Sequence, residues 1–228
     1  KVPASKSTAL SDISGRFSFT VPKGALTGDA LMKIATGKDC DAIKKIISAG
    51  IIKKEDASEV FSVHPFDQLY RGKTRISIKR PDFISKEEAD NILVYHAFTN
   101  TGPAGLLTHY NREKDCFEAE TKANGYFFLL RDRKPPIIQL PPYQDCITDD
   151  GPFRVVRFYF SDDLSGVNSK SIWLYIDGMK YPALYDYDRS WIEAKLPKKA
   201  ISRGIHHVFV RVKDRSNNEA FLRSLLAF

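Results

Sequence analysis

The sequence predicts an all-β chain built as two β-sandwich domains in tandem, the first carrying a short helical insertion and the second immunoglobulin-like. Three observations carry this expectation. Short apolar and β-branched runs recur at close spacing between Gly, Pro and Asn turn signals, with no alternating long helices among them. The stretch 131–142, RDRKPPIIQLPP, brackets one such run between two proline pairs. Proline fixes φ and donates no backbone hydrogen bond, so each pair stops a strand ladder and stiffens the chain into a joint. Beyond that joint, about seven strand candidates fall within fewer than about a hundred residues, the density of an immunoglobulin-like sandwich.

In chain order, residues 1–14 are rich in Ser, Lys and Ala with little periodicity and read as a loose lead-in. The first sandwich is expected over 15–134 and the second over 135–228. Residues 16–21 alternate polar and apolar as a half-buried strand does, and Pro22-Lys23-Gly24-Ala25 ends them with turn chemistry. A strand candidate at 30–34 follows. The texture then changes. Asp39-Cys40-Asp41 reads as the cap of a helix with Ile43, Ile46 and Ile47 on one face and Gly50 at its close. This interlude, near 39–57, sits where a sandwich has a strand connection. It is expected either to plug an open end of the sandwich or to offer a helix to a partner. Strand pattern resumes at 60–63, 74–78, 92–98, 106–110, 116–121 and 126–130, with turns at Arg80-Pro81-Asp82, Thr101-Gly102-Pro103 and Asn124-Gly125.

Past the joint the alternation is cleaner. Residues 137–140, 153–160, 172–176, 181–185, 191–196, 207–213 and 220–226 are the seven strand candidates.

Composition narrows the function classes. The 228 residues are 43% hydrophobic and 12% aromatic, enough for two ordinary cores. Lys+Arg 35 against Asp+Glu 28 gives +7, but the charges are interspersed, and the aromatic-plus-glycine signatures of single-strand binders are absent, so no nucleic-acid partner is expected. No apolar run approaches the roughly 18 residues of a membrane span. The chain opens on Lys1 without a signal peptide, and the expectation is a portion of a longer protein. Cys40, Cys116 and Cys146 are odd in number, match no metal spacing and read as small buried hydrophobes, with at most one disulfide among them. No cofactor is expected.

Several stretches carry a family resemblance. Phe160-Ser161-Asp162-Asp163-Leu164-Ser165-Gly166-Val167, then 171–178 (SIWLYIDG), Tyr185-Asp186 and 207–218 (HVFVRVKDRSNN) together resemble a bacterial extracellular immunoglobulin-like domain. The likeness departs at Asn217, where that family has glycine; asparagine tolerates the left-handed conformation a turn needs there. In the first half, 19–26 (FTVPKGAL), the stretch 65–78, Asn124-Gly125-Tyr126-Phe127 and the run into Pro135-Pro136-Ile137 follow the order found downstream of the catalytic domain in lysostaphin-like metallopeptidases of Gram-negative envelopes. That first sandwich is similar in turn to the domain shared by ankyrins and netrin receptors. The resemblance implies a periplasmic, cell-surface or secreted address, and a zinc enzyme lying upstream. The enzyme's ligand signatures do not occur here: His64 and Asp67 have the wrong spacing, and His206 and His207 are adjacent, so in a strand they point to opposite faces.

No catalytic residues are therefore expected. Cys116 with His96 or His109 is the one conceivable nucleophile and base, and nothing in their spacing brings them together. A weak calcium option joins Asp162, Asp163 and Asp214 with the Asn217 carbonyl, since Ca²⁺ takes many oxygen ligands; the plainer reading is aspartates accepting turn amides. The partner-binding candidates are Trp173, Tyr175, Phe209 and Arg211. If Ile172, Leu174 and Ile176 face the core, with Val208, Val210 and Val212 across from them, strand alternation sends these four to one outer face. The expected function is a non-catalytic accessory or docking region that positions an upstream catalytic domain or binds a protein partner. The alternative is a carbohydrate- or peptidoglycan-binding module with an envelope glycan on its aromatics.

Overall fold

A computed structural model describes residues 1–37, 40–98 and 102–228. The chain is all-β and divides into two compact units, Lys1–Asp132 and Arg133–Phe228.

The first unit holds β1 (Thr8–Ser11), β2 (Phe17–Val21), β3 (Lys33–Gly37), β4 (Val60–His64), β5 (Leu69–Lys79), β6 (Leu93–Ala97), β7 (Ala104–Gly105), β8 (Thr108–Asn111), β9 (Cys116–Ala123) and β10 (Gly125–Leu130). They form two antiparallel sheets, ordered β1-β2-β5-β9-β8 and β3-β4-β10-β6-β7. Between them lies a core dense in aromatic rings. On β2, Phe17 and Phe19 alternate with half-buried Ser18 and Thr20, and Phe17 stacks on Phe61 at 4.8 Å and on Phe127 at 6.0 Å. Rings of this size, each burying 150–250 Å² or so, supply much of the apolar burial of a small sandwich.

A second set of buried residues lies outside that core. Val60, Leu93, Tyr95, Phe128 and Leu130 alternate with the core-facing Phe61, Val94, Phe127 and Leu129, so they point to the far side of the second sheet, yet all are buried. The helix α1 (Asp41–Ser48) leaves β3 and returns to β4, both strands of this sheet, and buries Ala42, Ile43 and Ile46. The buried stripe of α1 and this buried sheet face both lie outside the aromatic core of the unit. It is closed as the sequence predicts: Gly50 sits at φ 67°, its N–H bonds Ile47 O at 2.9 Å, and Ile51 N–H bonds Ile46 O at 3.0 Å, a Schellman motif. Of the expected cap, Asp39 lies outside the described residues, and Cys40 occupies the cap position but its side chain does not cap the helix amides.

The second unit holds β11 (Ile137–Gln139), α2 (Tyr143–Cys146), β12 (Ile147–Asp150), β13 (Phe153–Ser161), β14 (Trp173–Ile176), β15 (Met179–Tyr181), β16 (Leu184–Asp186), β17 (Trp191–Pro197), β18 (Ile205–Lys213) and β19 (Glu219–Ala227). One sheet is ordered β11-β13-β17-β16, with β12 also on β13; the other is β15-β14-β18-β19. Its core is mainly aliphatic, with Leu174, Ile176, Val208, Val210 and Val212 from one sheet meeting Val156, Phe158, Ile192 and Leu196 from the other. The β14–β15 hairpin turns on Asp177 and Gly178, whose φ angles of 49° and 81° fit the primed turn that Asp-Gly favours.

Several expectations need correction. Residues 1–14 are not a loose lead-in: Val2 is fully buried and bridges Ala30, and β1 is an edge strand on β2. The candidate at 181–185 splits into β15 and β16, because Pro182 has no N–H for a ladder. Asn124-Gly125 is no hairpin turn but a corner where the chain leaves β9 in one sheet and enters β10 in the other. Asn124 is fully buried there: its Oδ1 accepts from the Tyr70 hydroxyl at 2.6 Å and its Nδ2 donates to Pro65 O at 2.7 Å. Gly125 has φ 151°, and a side chain on it would meet His96 Nε2 and Ala97 O, so only glycine fits. Of the 101–103 turn, Thr101 lies outside the described residues. The joint also divides differently, since the Arg131 side chain belongs to the first unit, pairing with Glu88 at 2.6 Å and donating to Phe83 O at 2.6 Å.

Candidate functional site

The alternation of β14 and β18 decides which side chains reach the surface. Leu174 and Ile176 are buried, Ile172 packs against the core edge, and Trp173 and Tyr175 turn outward; on β18, Val208, Val210 and Val212 are buried while Phe209 and Arg211 turn outward. The ladder registers Trp173 with Arg211 and Tyr175 with Phe209, so the four residues singled out from the sequence share one face. Cross-strand neighbours on one face lie about 5 Å apart, close enough for rings to touch.

They touch in a row. Ring centroids are 6.4 Å apart for Trp173 and Tyr175, 6.1 Å for Tyr175 and Phe209, and 6.4 Å for Phe209 and Phe221 on β19. Cations lie over the same rings: Lys180 Nζ is 4.6 Å and the Arg211 guanidinium 4.8 Å from the Trp173 centroid, and Arg223 is 5.6 Å from that of Phe209. Arg211 is held in turn by Glu219. Trp173 is 38% exposed, Phe221 66% and Leu225 57%. Next to the row, Tyr175, His207, Phe209, Arg223 and Leu225 line a cleft of about 520 Å³. Sequence reasoning missed Phe221, Lys180 and Arg223. Parity within 220–226 groups Phe221 with Arg223 and Leu225, but which strand lies beside β18 is fixed only by the ladder.

The remaining candidates are placed as follows. Asp162 and Asp214 bring carboxylate oxygens within 4.8 Å of each other, across two loops tied by a Val167–Asp214 bridge and by Arg215 N–H to Gly166 O at 2.9 Å. Both carboxylates serve turn amides: Asp162 Oδ1 accepts from Leu164 and Gly166, and Asp214 accepts from the backbone and side chain of Asn218. Asp163 is exposed beside them, and Asn217 takes the left-handed conformation at φ 63°. That geometry is what the turns require.

His206 and His207 lie on opposite faces. His206 is buried with Nδ1 at 2.5 Å from Asp177 Oδ2 and Nε2 at 3.1 Å from Ser202 O, while His207 is exposed and donates its N–H to Asp177 Oδ1 at 2.9 Å. The His206 bond first, and the His207 amide second, hold the Asp177 carboxyl below its usual range. Cys116 is buried with Sγ 4.0 Å from Glu118 Oε1; His109 is on the neighbouring β8, registered with Glu118, and His96 is in the other sheet against Asn124 O at 3.0 Å. Burial holds the His96 imidazole below its usual range. The three cysteines are buried and none is in a disulfide. Among the described residues, no helix is long and apolar enough to cross a membrane.

Compared with known proteins, the chain matches no protein-family model and no curated protein sequence.

Proposed function

We infer that the chain is a non-catalytic accessory region of a longer envelope or secreted protein, whose second unit is an immunoglobulin-like sandwich that docks a protein partner. Two observations support the architectural half. Lettered in order, with β12 as an extra strand, the sheets run A-B-E-D and C′-C-F-G, the two sheet orders of that sandwich, and the 171–178 and 207–218 motif stretches cover its C and F strands.

The observation that carries the docking half is the open row of Trp173, Tyr175, Phe209 and Phe221, interleaved with Arg211, Arg223 and Lys180. Aromatic and arginine side chains are the types that dominate interface hot spots, and the cations favour a partner presenting carboxylates. A sugar platform needs a free ring face, whereas a sugar stacking on Trp173 has to displace Lys180 or Arg211. The partner most consistent with the family resemblance is the catalytic domain expected upstream.

The test is a binding titration between this chain and the domain encoded immediately upstream of it. Trp173→Ala and Phe209→Ala should each weaken binding about 30-fold, the effect of losing a hot spot of roughly 2 kcal/mol, with melting little changed. Unaltered affinity in both variants overturns the docking reading, and peptide or peptidoglycan hydrolysis by the purified chain overturns the non-catalytic one.

A further inference from the structure

Among the described residues, sheet edges are short, with one exception. β1, β3, β7, β8, β11, β12, β15 and β16, which end or flank their sheets, run two to five residues. Short edges are a common protection against strand addition. β19 runs nine residues, contains no proline, and keeps an unbroken register with β18 from Glu219 to Ala227. No other strand among the described residues pairs with it.

The ladder fixes which backbone groups face outward. Gly204 and Phe228 exchange both hydrogen bonds, at 3.1 and 2.9 Å. In an antiparallel pair this alternates by residue, so the even-numbered residues of β19 bond β18, and Glu219, Phe221, Arg223 and Leu225 turn their N–H and C=O groups away from it; β11 lies beside part of β19 without pairing with it. The same odd-numbered residues carry their side chains on the aromatic face.

We propose that the Glu219–Arg223 half of β19 pairs with the same five residues of a second copy of this chain, antiparallel about a two-fold axis at Phe221, joining two four-stranded sheets into one of eight. Three features select this occupant. The hydrogen-bond parity agrees, since odd residues meet odd residues. The charges agree: Glu219 falls opposite Arg223 of the second copy and Arg223 opposite its Glu219, with Phe221 on Phe221, whereas centring on Arg223 sets two arginines face to face. The aromatic row that ends at Phe221 continues into the second copy's row. Such an interface is isologous and closes at two. The proposal concerns the strand edge and stands without the docking reading.

Sedimentation of the full chain tests it. The wild-type chain should form dimers as concentration rises. Arg223→Glu and Glu219→Arg should each sediment as monomers, because each sets like charges opposite one another at both ends of the pair. An equimolar mixture of the two variants sets Arg against Glu everywhere and should restore dimers. Hydrogen exchange of the unaltered chain decides the question independently of how the variants fold: the Phe221 and Arg223 amides should gain protection with concentration, while the Leu222 amide, bonded to β18, stays protected throughout. A wild-type chain that remains monomeric overturns the proposal. So does a dimer indifferent to both substitutions, or a Phe221 amide whose exchange ignores concentration.

Discussion

Each unit has a sheet with aromatic rings on the side away from its own sandwich core. In the first unit those rings are Tyr95 and Phe128, stacked at 6.3 Å and fully buried. In the second they are Trp173, Tyr175, Phe209 and Phe221, which are half-buried or exposed. The difference is one connection. Between β3 and β4 the chain inserts α1, which buries Ala42, Ile43 and Ile46 in that unit; among the described residues of the second unit, β14 and β15 are joined by a two-residue turn and no helix follows. Identical strand chemistry is therefore structural where the chain covers it and available where it does not. That contrast, more than the count of aromatic residues, is the reason the second unit's face is the one proposed to dock a partner.

The largest test is truncation of one ring from each face. Phe128→Ala should cost the first unit about 3–5 kcal/mol, as for other buried phenylalanines, whereas Phe209→Ala should cost the second about 1 kcal/mol or less. Both tryptophans, Trp173 and Trp191, lie in the second unit, so indole fluorescence follows its unfolding alone while far-ultraviolet dichroism follows both. Equal losses at the two sites break the comparison.

Next in size is the covering layer. Ile46→Ala should destabilise the first unit by about 2–4 kcal/mol, and exchange at the amides of β6 and β10 should rise with it, the outcome expected when α1 covers the Tyr95 and Phe128 face. A loss confined to α1, with β6 and β10 unchanged, would mean that something else shields Tyr95 and Phe128.

How much of this was legible beforehand depended on the range of the forces involved. Parity along one strand is local, so the outward placement of Trp173, Tyr175, Phe209 and Arg211 followed from the aliphatic residues between them. The helix and its Gly50 closure were readable for the same reason. Strand neighbours are set by tertiary packing, and so β1, whose Thr-Ala-Leu-Ser is nondescript, and β12, whose Ile-Thr-Asp-Asp reads as a loop, gave no signal. Lys180 and Arg223 were missed because they join the face only through the registers of β15 and β19. The Asn124 corner read as a turn because Asn-Gly is a turn signal in sequence, whereas its role is to change sheets.

Acid should separate the units by a smaller margin. His96 has its folded-state pKa lowered by burial, so the unfolded chain takes up a proton first as pH falls; its contribution is complete above about 6.5 and is lost as pH drops through the lowered value. Asp115 is held at about 2, first by the Arg80 guanidinium and then by the Tyr110 hydroxyl, and its contribution is lost as pH falls from its ordinary 3.8 through about 2. In the second unit Asp177 behaves likewise, lowered chiefly by His206, and its contribution disappears only below the ordinary carboxylate range. Between about pH 6.5 and 4.5 the first unit should therefore weaken more than the second, and His96→Phe should remove that slope. Parallel loss in both units would show that His96 does not set it.

Asn124 and Gly125 form the dipeptide most prone to spontaneous ageing, in which the glycine nitrogen attacks the asparagine side-chain carbonyl, ammonia leaves and a cyclic imide forms. That ring closure needs the amide group to swing free. Here Tyr70 holds its oxygen, the Pro65 carbonyl holds its nitrogen, and no solvent reaches it. Deamidation at Asn124 thus requires the corner to open, and its rate in a stored sample becomes a slow chemical clock for how often the first unit comes apart.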